Sequence, residues 1–452
     1  MGDNREEEYL RRRFEVPAGQ ALGLNDIGWL RTFDAKLSSE ISTAGFARVS
    51  AQELKALSGR EPRLMAKHDF STSRPWIFED LGLSILPLSR SSYLIGPFNL
   101  YERFPVSAGV LRTLAIPSGI ESLDFSALRS EALVLSAAAL SGMIEDFIGG
   151  SRLVPTVAGR MSTGRLPLHL REMGKHFTVD RAQMEIDAGF ESPEHLVLVE
   201  AKNHITADFN IRQLYFPYLR FSRELSKEVI PLYLVYSNGV FHLYRYTFTD
   251  PEDFRSIRLA ASTRYVLGDS AVSIDSLRTL LDRIKPRTHP RSQHQGQARI
   301  PFPQADSFAR VVSLCELLLD KDLDKTAIHA HYGFTPRQAD YYVNAGRYLG
   351  LIDLEGSVAR LTALGRSIME TPSRDDRNLA LVEVMAGDEV FHAVLEGVVA
   401  KQRGPQRSDV LAIMESSALE MSSSTLKRRA GTVMAWAHWV WDLVAPRQLK
   451  LA

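Results

Sequence analysis

The sequence predicts an α/β (α+β) chain, with a mixed sheet flanked by helices followed by a mostly helical domain. Three observations carry this expectation. Leu196, Val197, Leu198 and Val199 form an unbroken apolar run, as a strand buried on both faces requires. Asn238-Gly239 separates two apolar, aromatic-rich runs, Ile230 to Tyr236 and Val240 to Phe248, which is the strongest short-range signal for a β-hairpin. Beyond Phe308, apolar residues recur mostly at helical spacing.

At 452 residues the chain exceeds one typical core, so two or three domains are expected. The boundaries read as an N-terminal α+β region at 1–130, a core at 131–284, a linker at 285–304 and a helical domain at 305–452. Apolar residues make up 45% and charged residues 24%, the balance of a soluble globular protein. No apolar stretch is long enough to span a bilayer, and the N-terminus lacks the layout of a signal peptide. The expectation is therefore an intracellular, cytoplasmic protein without a membrane partner. The lone cysteine, Cys315, excludes an intrachain disulfide and a multi-cysteine zinc site, and no two histidines sit four apart as a helical ligand pair would. Formal net charge is zero, which argues against a protein that coats nucleic acid but leaves room for a local basic surface.

In chain order, residues 5 to 13 predict a charged, solvated helical start. Asn25 is placed to cap a helix running to about Ala44, and Ser50 a shorter one through Leu57 that stops near Gly59. Leu83 to Leu86 and Tyr93 to Ile95 read as strands. Between the helices and those strands, Lys67 to Pro75 is polar and donor-rich. Lys67 there suits a DNA contact, and a solvated loop is the competing reading.

Residues 131 to 148 predict one helix, with Leu133, Ala137, Leu140, Ile144 and Phe147 on a stripe and Gly149-Gly150 ending it. Glu145 and Asp146 then fall in its last turn, where acids oppose the macrodipole, a local misfit that hints at another use. Gly159 to Arg165 is a flexible, donor-rich loop, and Arg160, Ser162, Thr163 and Arg165 suit a phosphate backbone.

The chemistry concentrates at residues 185 to 202. The apolar strand ends in Glu200-Ala201-Lys202, and alternation points Glu200 and Lys202 to one face. Asp187 lies on the preceding segment and approaches Glu200 if the two pair across Glu191-Ser192-Pro193-Glu194; Glu185 shares its face and is held in reserve. Asp187, Glu200 and the Ala201 carbonyl offer hard oxygen ligands suited to Mg²⁺, beside the amine of Lys202. Thr206 or Asp208 is placed to cap a following helix that carries Arg212 and Gln213 at its start, the inner face including Tyr218, with a kink expected at Pro217.

Asp187, twelve residues, then Glu200-x-Lys202 at the end of an apolar strand resembles the core of the PD-(D/E)XK nuclease superfamily. The resemblance spans about residues 131 to 250 and implies a restriction-endonuclease-like core. It also implies a catalytic set of Asp187, Glu200 and Lys202, a helical acid matched by Glu145 as a further Mg²⁺ ligand, and Gln213 near the DNA. In the C-terminal domain, Thr326 to Tyr332, Gly333-Phe334 and Thr335 to Leu349 read as helix, turn, helix, and Leu351 to Leu361 as a β-wing. This layout resembles a winged helix, whose second helix would present Arg337, Gln338, Tyr341, Asn344 and Arg347 to a groove of double-stranded DNA.

The whole is similar to a type II restriction endonuclease, with 1–130 as a DNA-recognition part and, by the resemblance alone, a cognate DNA methyltransferase in the same system. One site per chain favours a homodimer or sequential nicking. Two competing readings are a DNA-binding regulator that keeps the sheet without cleaving and a structure-specific repair nuclease.

Overall fold

The computed structural model describes residues 2–105, 110–268, 272–287, 300–332, 336–417, 419, 421–444 and 448–449. The N-terminal region pairs the strands Ala47–Ser50, Ser92–Gly96 and Ser84–Pro87 in one small sheet. Trp29, Phe33 and Phe78 pack edge to face beneath it. Ser50 caps the helix Ala51–Ser58 by accepting from the Glu53 amide at 3.1 Å, and Gly59 ends it with a φ of 69°. The expected cap at Asn25 is not formed. The helix starts at Leu24, where the Gly23 amide donates to the Asp26 carboxylate at 2.8 Å, and Asn25 instead accepts from Arg60.

The central sheet is built from β1 (Leu111–Leu114), β2 (Val154–Pro155), β3 (Ala188–Glu191), β4 (His195–Lys202), β5 (Glu228–Ser237), β6 (Val240–Phe248) and β7 (Ile257–Leu267), in the spatial order β1-β7-β6-β5-β4-β3-β2. Residues Gln448–Leu449 add to the β1 edge. The sheet is mixed, since β4 runs parallel to β5 and β7 parallel to β1 while the other pairs among β1 to β7 are antiparallel. β1 belongs to this sheet, so the sheet draws on a strand that precedes residue 131. At the β5–β6 turn, Asn238 and Gly239 take φ of 51° and 71°, the two positive values that a two-residue hairpin turn of this hand requires.

Apolar layers cover both faces. On one lie α1 (Glu131–Leu140) and α2 (Met143–Ile148), with Val197, Val199 and Ala201 of β4 turned toward them. On the other lies α3 (Arg212–Glu224), against Leu196 and Leu198. The single helix expected over 131–148 is thus two. Ser141 and Gly142, the latter at a φ of 66°, interrupt it, so Glu145 and Asp146 sit in a first turn where their charge suits the helix dipole. The expected cap at Thr206 or Asp208 is also replaced. Asp208–Asn210 is a strand paired with Tyr101–Arg103, the Asp208 carboxylate accepts from Ser71, and α3 runs on through Pro217.

The C-terminal region comprises α4 (Phe308–Asp320), α5 (Lys325–Tyr332), α6 (Pro336–Tyr348), the hairpin β8 (Ile352–Glu355) and β9 (Val358–Leu361), and further helices ending in α7 (Ser423–Val444). The turn expected at Gly333-Phe334 lies outside the described residues, as does most of the expected linker. Trp436 is fully buried against Phe308 and Phe391, and its indole donates to the Ala305 carbonyl. This region docks on the β5–β6 turn. Glu316 of α4 accepts from the Ser237 hydroxyl at 2.6 Å and the Asn238 amide at 2.8 Å, while Arg374 and Arg377 donate to Asn238. Among the described residues no helix is long and apolar enough to cross a membrane.

Candidate active site

The β4 strand delivers its polar end through period-two alternation. Glu200 and Lys202 share the face of Leu196 and Leu198, toward α3, while Ala201 turns toward α1. Because Ala188 pairs with Val199, Asp187 stands level with Glu200. Its Oδ2 accepts from the Ala201 amide at 2.8 Å. The Lys202 ammonium donates to Glu200 Oε1 at 2.8 Å and to the Ala201 carbonyl at 2.7 Å. It also lies 3.6 Å from Glu131 Oε1 and 4.0 Å from Asp187 Oδ2. Gln213, at the start of α3, donates its amide to the same Glu200 oxygen, and its own Oε1 is buried without a hydrogen-bond partner.

Three carboxylates and a backbone carbonyl therefore surround one ammonium. Burial works against charge on both central groups, and it wins at one of them. Glu200, only 7% exposed at the side chain, has its carboxyl pushed up to about 7 by burial, with Lys202 pulling it back and Asp187 adding to the rise. At Lys202 burial is the largest single influence and favours the neutral amine, but Glu200, Tyr233, Glu131 and Asp187 together outweigh it, so the ammonium form is held above its usual range. Burial likewise raises Glu131. On the neighbouring strand, Tyr233 pairs in register with Glu200, is fully buried, and has no partner for its hydroxyl.

As the side chains stand, no three His, Cys, Asp or Glu residues among those described enclose a point as metal ligands do. The donor chemistry nonetheless fits a hard cation. The oxygens that Lys202 bonds or pairs with are carboxylates and a carbonyl, a buried acid with a raised pKa gains from a nearby positive charge, and the ammonium occupies the centre of that oxygen set.

Residues 26–95, 96–266 and 310–445 match models of three domains of unknown function, DUF6996, DUF6997 and DUF7226 respectively. The central sheet and the cluster at β4 fall within the second of these. No curated protein and no solved structure matches the chain.

Of the residues expected at the site, Asp187, Glu200, Ala201, Lys202 and Gln213 converge. Glu145 is not among them. One of its oxygens accepts from the Leu153 amide at 3.3 Å and the other is buried without a partner, while neighbouring Asp146 is held by Arg112 and Tyr265. The helical acid of the cluster is Glu131, which nothing in the sequence singles out. It follows the cap residue Ser130, a placement that suits the helix dipole and so shows no local misfit.

Glu185 pairs instead with Arg160 at 3.3 Å on the separate ribbon of Gly159–Ser162 and Gln183–Ile186. Ser162 accepts from the Gly164 amide, and Thr163 is buried with its hydroxyl on the Gly164 carbonyl, which removes its side chain from a phosphate-facing surface. Arg165 is exposed, and Lys67 lies 3.5 Å from Asp69. Arg337, Gln338, Tyr341, Asn344 and Arg347 all fall on α6. A cavity of about 280 Å³ opens beside the cluster, where Arg129 and Asn203 of the core meet Glu316 and Glu370.

The raised Glu200 pKa has a measurable consequence. Its folded value, about 7, exceeds its ordinary 4.5, so the native state holds the proton more tightly and loses stability as pH rises through that window. In EDTA, the Tm of Glu200→Gln minus that of wild type should grow between about pH 5 and pH 7.5. A difference that stays constant across that range contradicts the assignment.

Proposed function

We propose that this chain is a Mg²⁺-dependent endodeoxyribonuclease of the type II restriction kind, cleaving double-stranded DNA at a specific sequence. The observation that carries the reading is the convergence of Asp187, Glu131, Glu200 and the Ala201 carbonyl on Lys202 at the end of a buried strand. Those four oxygen donors would hold the ion. What Mg²⁺ supplies when bound is charge stabilisation at the scissile phosphate and a more acidic water.

The chain's own groups do the rest. Lys202, held as an ammonium by its acids, acts as donor and counter-charge to the phosphate rather than as the base that removes a proton. Gln213 orients Glu200 by donating to it, and Asp187 is aligned by the Ala201 amide. Water attacks phosphorus in line with the leaving oxygen, one P–O bond forms as the other breaks, and the proton that the water gives up to solvent is balanced by the one that the leaving oxygen takes from it. Arg165 is exposed for a phosphate contact, Arg160 and Lys67 would exchange Glu185 and Asp69 for phosphate when DNA binds, and the helices α5 and α6 with the β8–β9 hairpin would serve as a winged-helix-like module for duplex DNA. Cutting both strands is expected from a homodimer or from sequential nicking.

A second reading, a DNA-binding regulator that does not cleave, is favoured by one observation. Lys202 already occupies the centre of the oxygen set, as in a structural ion-pair cluster. Incubation with plasmid and Mg²⁺, repeated with EDTA, separates the two. Discrete fragments only with the metal are expected, random degradation would favour a repair nuclease, and intact DNA over several substrates and methylation states would leave the regulator.

A further inference from the structure

Most basic side chains near the C-terminal helices meet a carboxylate. Lys325 reaches Asp340, Arg360 reaches Glu355, Arg366 reaches Glu370, and Lys401 and Arg403 share Asp409. One group does not. Arg337 lies 5.5 Å over the Tyr341 ring and bonds its hydroxyl. Arg429 sits near enough to Tyr341 and Arg428 for both to act on it, and its pKa is lowered first by burial and then by Arg428. Its Nε is buried without an acceptor. Lys427 and Arg428 are exposed, and Arg407 donates to the Lys427 carbonyl. Among the described residues, none of these five cations has an acid within ion-pair distance.

We propose that Arg337, Arg407, Lys427, Arg428 and Arg429 form one phosphate-binding surface for duplex DNA, with the start of α7 clamping the backbone beside α6. The argument is charge complementarity. Arg428 acts on the half-buried Arg429, whose Nε has no acceptor, Arg337 and Arg407 adjoin them through Tyr341 and the Lys427 carbonyl, and the described residues place no carboxylate within ion-pair distance of the five. A duplex offers phosphates along a continuous line, and the second helix of a helix–turn–helix lies in the major groove while adjoining elements touch the backbone. Tyr341 bonds Arg337 and lies close enough to Arg429 to act on its charge, which brings the two helices to one surface. The choice of DNA over another polyanion rests on the nuclease reading.

The test is equilibrium binding of a short non-specific duplex to the full chain in EDTA, from about 50 to 200 mM salt. It compares wild type with the double variant Lys427→Ala/Arg428→Ala and with Arg337→Ala. Every phosphate that a variant no longer neutralises lowers the slope of log K against log salt by about 0.9, so the double variant should lose nearly two units of slope. Its affinity should fall by about tenfold or more. All three residues carry exposed side chains without ion pairs, so an unchanged Tm is expected. Unaltered slope and affinity in both variants would overturn the proposal, as would tighter binding to vesicles of anionic phospholipid than to duplex. Because no metal is present, the result is independent of cleavage. A plasmid left intact beside a reduced slope sinks the nuclease reading alone, and cleavage beside an unchanged slope sinks this surface alone.

Discussion

Asp187→Asn and Lys202→Ala should each reduce Mg²⁺-dependent plasmid cleavage by about 10³-fold or more. The two act differently. Asparagine keeps an acceptor for the Ala201 amide at Oδ1, so local geometry and Tm should hold while a negatively charged ligand is lost. Alanine at 202 removes the cation that Glu200, Glu131 and Asp187 surround, so some loss of Tm is expected, moderated because Glu200 is already poised to take up a proton. Duplex binding in EDTA should persist in both. Cleavage at the wild-type rate in either variant would remove the site assignment, whatever the stability.

Glu131→Gln and Glu145→Gln form the second decisive pair. The first should slow cleavage by about 10²-fold, because Glu131 brings a third carboxylate to within 3.6 Å of the Lys202 ammonium. The second should leave the rate within about twofold, since Glu145 serves the Leu153 amide and does not reach the strand end. Initial rates on supercoiled plasmid under saturating Mg²⁺ measure both. The reverse ranking would show that a rearrangement of α1 and α2 accompanies DNA binding, and the cluster described above would not be the active one.

The difference between these two acids shows where a sequence stops informing. A continuous helix over 131–148 would leave Glu145 in an unfavourable last turn, and that is the local misfit the sequence displays. Gly142, at positive φ, breaks that helix and turns the misfit into a favourable first turn. Glu131 shows no such misfit, because an acid after a serine cap is what any helix start prefers. Its role depends on where Lys202 arrives, seventy-one positions further along the chain. Asp208 teaches the same lesson. Its type and position suited a helix cap, but pairing with Tyr101–Arg103 and a bond to Ser71 took it into a strand.

What the sequence alone determined are the features governed by short-range sterics and periodicity. These are the buried run of β4 with Glu200 and Lys202 on one face, the Asn238-Gly239 turn, the Ser50 cap and the order of helices and hairpin after Phe308. A two-residue period or a positive φ is decided within a few bonds. Only the tertiary structure decided the insertion of β1 beside β7, the docking of Glu316 on the hairpin turn, and the choice of Glu131 over Glu145. Each of those joins groups far apart in the chain, and burial and hydrogen bonding across the assembled fold select among partners that look alike locally.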